Sequence, residues 1–436
     1  RIVFEEVHPS GLAFRYAWEG CDAFGWVRTA TLENRGSRAM RIDLLDGLRN
    51  VLPWGAPLAL YQTASNLVDA YKKSEIDPAS GIGIFSLTAG ITDRAEAKEV
   101  LRANTVWCCG LEGHRAHLSP NTVEAFRQGR VTPTGTVRNG GRGNYFVTST
   151  LDIEPGGDAR WRLVAEVGMG QGSIAALRRR IARGDDLDAA IAGALGESTD
   201  NLRRNVADAD GLQLTGRPEA WSHHFSNVLF NNMRGGVFDQ NHELPVADLI
   251  DFLEVRDRAT AARMQPTLAE LPGRVTMGAL REVARETGDA DFERLCLEYL
   301  PLYFGRRHGD PSRPWNKFQI KVRGDDGSRA LHYAGNWRDI FQNWEALCSS
   351  FPGFLPNIVA KFVNASTVDG FNPYRITRDG VDWEEVIPED PWSNIGYWGD
   401  HQIIYLLKLL EGLENHDPGA LGGMLSERIF SYADVP

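Results

Sequence analysis

The chain has 436 residues, 42% of them hydrophobic and 24% charged, with a formal net charge of −11 at pH 7. That length exceeds one ordinary hydrophobic core, and the acidic balance repels nucleic acid and anionic membrane surfaces, so neither is an expected partner. The most apolar stretch, 403–410, is interrupted by Lys408 and falls short of the roughly 18 apolar residues of a membrane span.

The first 170 residues read mostly as strands. Leu12, Phe14, Tyr16 and Trp18 alternate with Ala13, Arg15 and Ala17, and Trp161, Leu163, Ala165 and Val167 alternate with Arg162 and Glu166. Turn signals such as Asn34-Arg35-Gly36-Ser37 and Glu154-Pro155-Gly156-Gly157 separate the runs. This pattern predicts an antiparallel β-sandwich over 1–170, with an inserted helix near 58–71. From Gly172 the period becomes helical through Ile174, Leu177 and Ile181, then Leu187, Ile191 and Leu195, predicting a helical linker over 171–215. The basic run Arg178-Arg179-Arg180 is expected on a solvated helix face. Beyond Gly216, helices are expected at 218–233, 244–255, 274–287, 289–300, 339–349, 394–413 and 418–431, joined by long loops at 311–336 and 365–392. The fold class is therefore α+β multidomain, with an α/α toroid over 216–436 whose roughly seven helices are fewer than a full set, so that it looks incomplete.

The five cysteines, Cys21, Cys108, Cys109, Cys296 and Cys348, are odd in number and lack the spacing of a zinc or redox motif. A reducing, cytoplasmic setting is expected. His114 with His117, and His223 with His224, lack a Cys or acidic partner at ligand spacing, so no transition metal is expected. The Gly235-Gly236 pair reads as a helix C-cap and not as a phosphate loop.

The most informative region runs from Trp315 to Trp398. Six of the twelve tryptophans lie there, interleaved with Arg338, Asp339, Glu345, Asp369, Asp382, Glu384 and Asp400. Indole faces stack on the C–H faces of pyranose rings, while carboxylates and guanidinium groups bind hydroxyls and supply protons, so the mixture suits a sugar cleft. A well-packed core with satisfied indole N–H groups is the alternative.

Within Gly335–Glu345, Arg338, Gln342 and Glu345 fall at i, i+4 and i+7 and would share one helix face, with Trp337 and Asn343 beside them; Asp339 near the N-terminus gains from the helix dipole. Here Asp339 is a candidate catalytic carboxylate, or else ties a helix start to the neighbouring hairpin. In Pro391–Gln402, aromatic residues including Trp398 precede Asp400 and His401, which would set polar groups at a cavity rim; capping by Asp400 is the alternative. The turn-rich segment 364–375 offers Asp369 and Arg375 to a substrate, or is simply a rigid loop.

Arg338–Asn343, reading R-D-I-F-Q-N, resembles the R-D-x-x-Q-D motif of the cellobiose phosphorylase-like family of inverting disaccharide phosphorylases and six-hairpin glycosidases. Gly399–Ile403, reading G-D-H-Q-I, is similar to that family's D-D-H-L-W segment. The order sandwich, helical linker, toroid also matches. The resemblance implies that Arg338 and Asp339 grip the sugar, that the bond broken is glucoside-like, and that inorganic phosphate is the co-substrate of a phosphorylase, with no other cofactor. Two departures stand out. Asn343 replaces an acid of the motif, and the Trp-Asn-Asp segment that carries the family's general acid is not found in this sequence. The alternatives are an inverting glycoside hydrolase and a non-catalytic carbohydrate-binding module. The expected partners are an oligosaccharide and either the remaining half of the same polypeptide or a second copy of the chain.

Overall fold

A computed structural model describes the chain except residues 93–94, 97, 131–134, 214, 241–242, 304, 307–320, 325–327, 384–387, 390–396, 399–401 and 435–436, and except the side chains of residues 58, 305–306, 338, 397–398 and 402. The chain divides into two compact units, Arg1–Asn201 and Leu202–Pro436, the boundary falling within a single helix.

The first unit holds strands β1 (Ile2–Val7), β2 (Leu12–Cys21), β3 (Gly25–Asn34), β4 (Met40–Val51), β5 (Lys72–Ile76), β6 (Gly83–Leu87), β7 (Arg102–Cys109), β8 (Arg115–His117), β9 (Val137–Asn139), β10 (Gly143–Ile153) and β11 (Asp158–Gly170). They form an eight-stranded sheet, β1-β2-β3-β11-β7-β6-β5-β9, and a three-stranded sheet, β4-β10-β8. Every pairing is antiparallel. Strand alternation sorts side chains to two layers, because successive residues point to opposite faces. Ala30, Leu32, Val106, Cys108, Trp161 and Leu163 face the three-stranded sheet, where they meet Tyr145, Val147 and Ile153. Val27, Trp107 and Val164 face the other way.

Short helices α1 (Leu58–Thr63), α2 (Ser65–Tyr71) and α3 (Thr122–Arg127) decorate the sheets, and α4 (Gln171–Ala182) and α5 (Leu187–Asp208) follow β11. The expected linker is helical, yet its first part is not free: Leu177, Leu187 and Ile191 close the second layer over Phe24, Val27 and Trp107. In the basic run, Arg178 pairs with Asp77 at 3.0 Å and the Arg180 guanidinium lies 5.7 Å from the Phe24 ring centre.

The second unit is mainly helical: α6 (Pro218–Gly235), α7 (Val246–Arg256), α8 (Arg258–Ala269), α9 (Met277–Thr287), α10 (Ala290–Glu298), α11 (Trp337–Cys348), α12 (Leu355–Asn364), α13 (Gln402–His416) and α14 (Ala420–Met424). Gly236 ends α6 at φ 100° and donates to the Asn232 carbonyl at 2.9 Å, the glycine cap expected there. The helix expected over 418–431 shortens to α14. Two helices escape the sequence pattern. Helix α8 carries Pro266 inside it and starts on the Asp257 carboxylate, which accepts from the Ala259 and Thr260 amides. Helix α12 is buried nearly all round, its polar residues included, although Asn357, Lys361 and Asn364 segregate to one face as they would on a solvent-facing helix. Phe238, Leu249, Phe252, Leu280, Phe292, Trp337, Phe341, Trp344, Ile358 and Phe362 share one core. Among the described residues no helix is long and apolar enough to cross a membrane, and all five cysteines are free thiols.

Candidate functional site

The strand Tyr333–Asn336 leads directly into α11 and pairs antiparallel with Arg375–Thr377, placing Asn336 opposite Arg375. The Trp337 amide donates to the Tyr374 carbonyl at 3.0 Å, which fixes the entry of α11 against this segment. Slightly earlier, Phe371–Asn372 pairs with Tyr397–Trp398, with Phe371 opposite Trp398. One short segment, residues 371–377, therefore borders both sequence motifs. It carries the start of α11 at one end and the backbone of Trp398 at the other.

The predicted site residues separate into distinct environments. Gln342 is exposed and Glu345 half-buried, and Asp339 is half-buried in the first turn. Arg375 is half-buried with its Nε 3.6 Å from Asp382 Oδ2. Asp369 is exposed at the tip of a turn closed by the Phe371 amide donating to Thr367 Oγ1 at 2.9 Å, with Asn372 Nδ2 donating to Ser366 Oγ at 2.8 Å. Asn343 is 6% exposed, and its Nδ2 has no hydrogen-bond partner among the described residues. The backbones of Arg338 and Trp398 are placed by α11 and by the Tyr397–Trp398 strand. Asp400 and His401 lie outside the described residues.

Two indoles require a correction. Trp337, expected at a sugar, is 0% exposed, with ring centres of Phe341 and Phe362 at 4.6 and 5.0 Å. Trp344 is equally buried and donates from Nε1 to the Gly235 carbonyl at 3.1 Å. The physical reason is helical period. Trp337, Phe341, Trp344 and Cys348 recur every three to four residues, so they form the core stripe of α11, while Asp339 and Gln342 lie away from it.

Beside the 364–375 segment lies a hollow of about 780 Å³, within the size range of small-molecule sites. Its walls include Val368 and Gly370, which flank Asp369, and Ile403, the last residue of the Gly399–Ile403 motif. The lining is mostly apolar, with Phe362, Val363 and Leu406 completing it, and Ser366, Thr367, Asn372, Ser431 and Tyr432 are its polar residues. The α11 residues do not line it.

A second polar assembly was missed in the sequence. Lys361 is buried on α12, donates to the Glu298 carbonyl at 3.1 Å, and sits over the rings of Phe252 and Tyr333. Burial pushes its ammonium down to about 7, against attraction from Glu298 and with the Arg256 and Arg378 charges adding to the depression. The Glu298 carboxylate receives Asn364 Nδ2 at 2.8 Å and Arg294 Nη1 at 3.0 Å, with Arg256 Nη2 at 3.6 Å. Nearby, Asp248 accepts from Tyr299 Oη at 2.7 Å and from Arg378 Nη2 at 2.8 Å; burial holds its carboxyl above the ordinary range despite Arg378. The missed signal was the 357, 361, 364 spacing of Asn, Lys and Asn, which puts three polar groups on one face of an otherwise apolar helix. Among the described residues no group of three His, Cys, Asp or Glu is arranged to hold a metal ion.

Residues 238–301 match the family model described as glycoside hydrolase family 149 insertion domain 1. The structure gives that span natural borders. Val237–Phe238 pairs antiparallel with Leu302–Tyr303, so the chain leaves and returns through adjacent strands and folds α7 to α10 between them. Three of the helices counted toward a toroid from the sequence, at 244–255, 274–287 and 289–300, fall inside the matched span. The match supports a relationship to glycoside-active enzymes and does not single out the cellobiose phosphorylase-like family. No curated protein matches the chain.

Proposed function

We propose that this chain belongs to a carbohydrate-active enzyme that breaks a glucoside-like bond of an oligosaccharide with inversion, inorganic phosphate attacking the anomeric carbon from the face opposite the leaving group. The observation that carries the reading is the glycoside hydrolase family 149 insertion-domain match at 238–301, set in the same unit as the R-D-I-F-Q-N helix. In this reading Arg338 and Asp339 at the start of α11 hold neighbouring sugar hydroxyls, because a guanidinium fork and a carboxylate each engage two oxygens at once. Arg375, opposite Asn336, adds a cation on the same edge. Asp369 and the mainly apolar 780 Å³ hollow beside it, with its hydroxyl and amide groups at Ser366, Thr367 and Asn372, receive further sugar units, whose C–H faces suit apolar walls. Asp400 is the candidate for the group that protonates the glycosidic oxygen as the bond breaks. The oxygen leaves with that proton, and the sugar departs as a 1-phosphate of opposite anomeric configuration.

Two observations favour a second reading, a carbohydrate-binding module without turnover: Asn343 stands where the related motif has an acid, and no Trp-Asn-Asp segment occurs. Incubation with gluco-oligosaccharides in the presence and absence of inorganic phosphate separates the cases. Phosphate-dependent sugar 1-phosphate supports the phosphorylase, and free sugar without phosphate supports an inverting hydrolase. Saturable binding without turnover supports the module, and no binding at all overturns the carbohydrate reading.

A further inference from the structure

The first unit contains a second hollow, of about 870 Å³, between α3 and the outward face of the three-stranded sheet. Register places its floor. Thr150 pairs with Asp43 across β10 and β4, and Thr148 pairs with Arg115 across β10 and β8, so these four side chains stand on the same face of three adjacent strands. Thr150 Oγ1 donates to Asp43 Oδ1 at 2.9 Å, and Thr148 Oγ1 is held at 2.9 Å by Nε2 of His117, which is 2% exposed. Glu112 enters from the loop before β8, and Phe126 and Arg127 from α3 form the facing wall.

The lining chemistry narrows the ligand. Two carboxylates, Asp43 and Glu112, balance two guanidinium groups, Arg115 and Arg127, so the hollow has no net formal charge to favour an anion or a cation. Among the described residues Arg115 makes no hydrogen bond or ion pair, Arg127 reaches Glu124 at 3.9 Å, and Thr150 engages Asp43 through Oδ1 alone. Unspent planar donors and acceptors on a rigid strand floor match a neutral ligand with adjacent hydroxyls, while the Phe126 ring offers an apolar face to pyranose C–H groups. The volume lies in the range that encloses a small organic ligand.

We propose that this hollow is a saccharide-binding site on the β-sandwich, separate from the candidate site of the helical unit, that holds a neutral oligosaccharide through Asp43, Glu112 and Arg115. The proposal rests on the carbohydrate reading above. It is tested by calorimetric titration of the full chain with cello-, laminari- and malto-oligosaccharides, and with inorganic phosphate alone. Asp43→Ala and Arg115→Ala each weaken sugar binding about tenfold or more, as expected for loss of a charged hydrogen-bonding group. Arg41→Ala, on the same strand but paired with Asp152 outside the hollow, leaves binding unchanged. Melting curves for all three variants verify that the sandwich is intact, which their surface positions favour.

If sugar binds with wild-type affinity to both groove variants while Asp369→Ala weakens it, the groove proposal is overturned and the carbohydrate reading stands. If no sugar binds or turns over, both fall together. Saturable binding of phosphate alone that Arg115→Ala abolishes, without sugar binding there, also overturns the proposal in favour of an anion site.

Discussion

The two units bury polar groups in different ways. In the sandwich the buried Arg28–Asp46 pair stands by itself: Arg28 meets Asp46 at 2.7 Å, and the other oxygen of Asp46 accepts the Trp161 indole N–H at 2.7 Å. In the helical unit the buried charges form an extended assembly in which Glu298, Arg256, Arg294 and Lys361 meet, with Asp248 and Arg378 close by. An isolated satisfied pair adds modest stability. A shared assembly ties several elements to one geometry, and removing one member strands the others. Here the assembly joins the matched span, through Arg256, Glu298 and Asp248, to α12 and to Arg378 outside it. The polar groups therefore fix how that span is seated, where apolar packing alone tolerates sliding.

The largest expected effect follows from breaking the assembly at its hub. Glu298→Ala leaves Arg256, Arg294 and Asn364 without their shared acceptor and should cost about 3–5 kcal/mol of stability in chemical denaturation. The equivalent break in the sandwich, Asp46→Ala, strands Arg28 and one indole N–H, and about 2 kcal/mol is expected. Equal losses at the two sites would erase the distinction between the units.

Proton linkage sharpens the same contrast. Lys361 has an ordinary value of 10.5 and a folded value of about 7, and the groups facing it are Glu298, Arg256, Arg378 and Tyr333. Between those limits the unfolded chain binds a proton that the folded chain does not, so lowering the pH through this window removes stability, and below it the loss is complete. Wild-type protein should therefore be more stable at a pH of about 10 than at about 7, relative to Lys361→Met, by roughly 3 kcal/mol. A constant difference between the two proteins would mean that Lys361 is not depressed.

A smaller effect probes the apolar face of α11. A Cβ on Gly235 would lie 3.0 Å from the Asn343 carbonyl oxygen and 3.1 Å from Leu347 Cβ, so Gly235→Ala forces α6 away from α11 and should cost about 1–3 kcal/mol in thermal unfolding. Smallest in stability is Asp369→Ala at an exposed turn tip, within about 0.5 kcal/mol, although it should weaken oligosaccharide binding.

The strands of the sandwich were legible because burial on one face enforces a period of two. The Gly235-Gly236 cap was legible because positive φ favours glycine, and the start of α11 because its polar and apolar residues segregate. Trp337 and Trp344 mislead because indoles close to acids in sequence resemble a wet rim, while on a helix a three-to-four-residue spacing turns them inward and leaves Asp339 and Glu345 only half-buried. Helix α12 was invisible for the opposite reason: Asn357, Lys361 and Asn364 read as solvent-facing residues, and their partners Glu298, Tyr299 and Ile429 lie about sixty residues away in sequence. Residues 364–375 read in the sequence as a turn-rich loop offering Asp369 and Arg375, with no sign of the strands at 371–372 and 375–377. The role of segment 371–377 in bordering both motifs depends on strand pairings of two or three residues, too short to leave a pattern.

The most direct test follows the anomeric configuration of the product by proton and phosphorus NMR, with a β-linked gluco-oligosaccharide, inorganic phosphate and the full chain. The account predicts a glucose 1-phosphate of α configuration, formed only when phosphate is present. A β product, or an oligosaccharide that neither binds nor turns over, contradicts it.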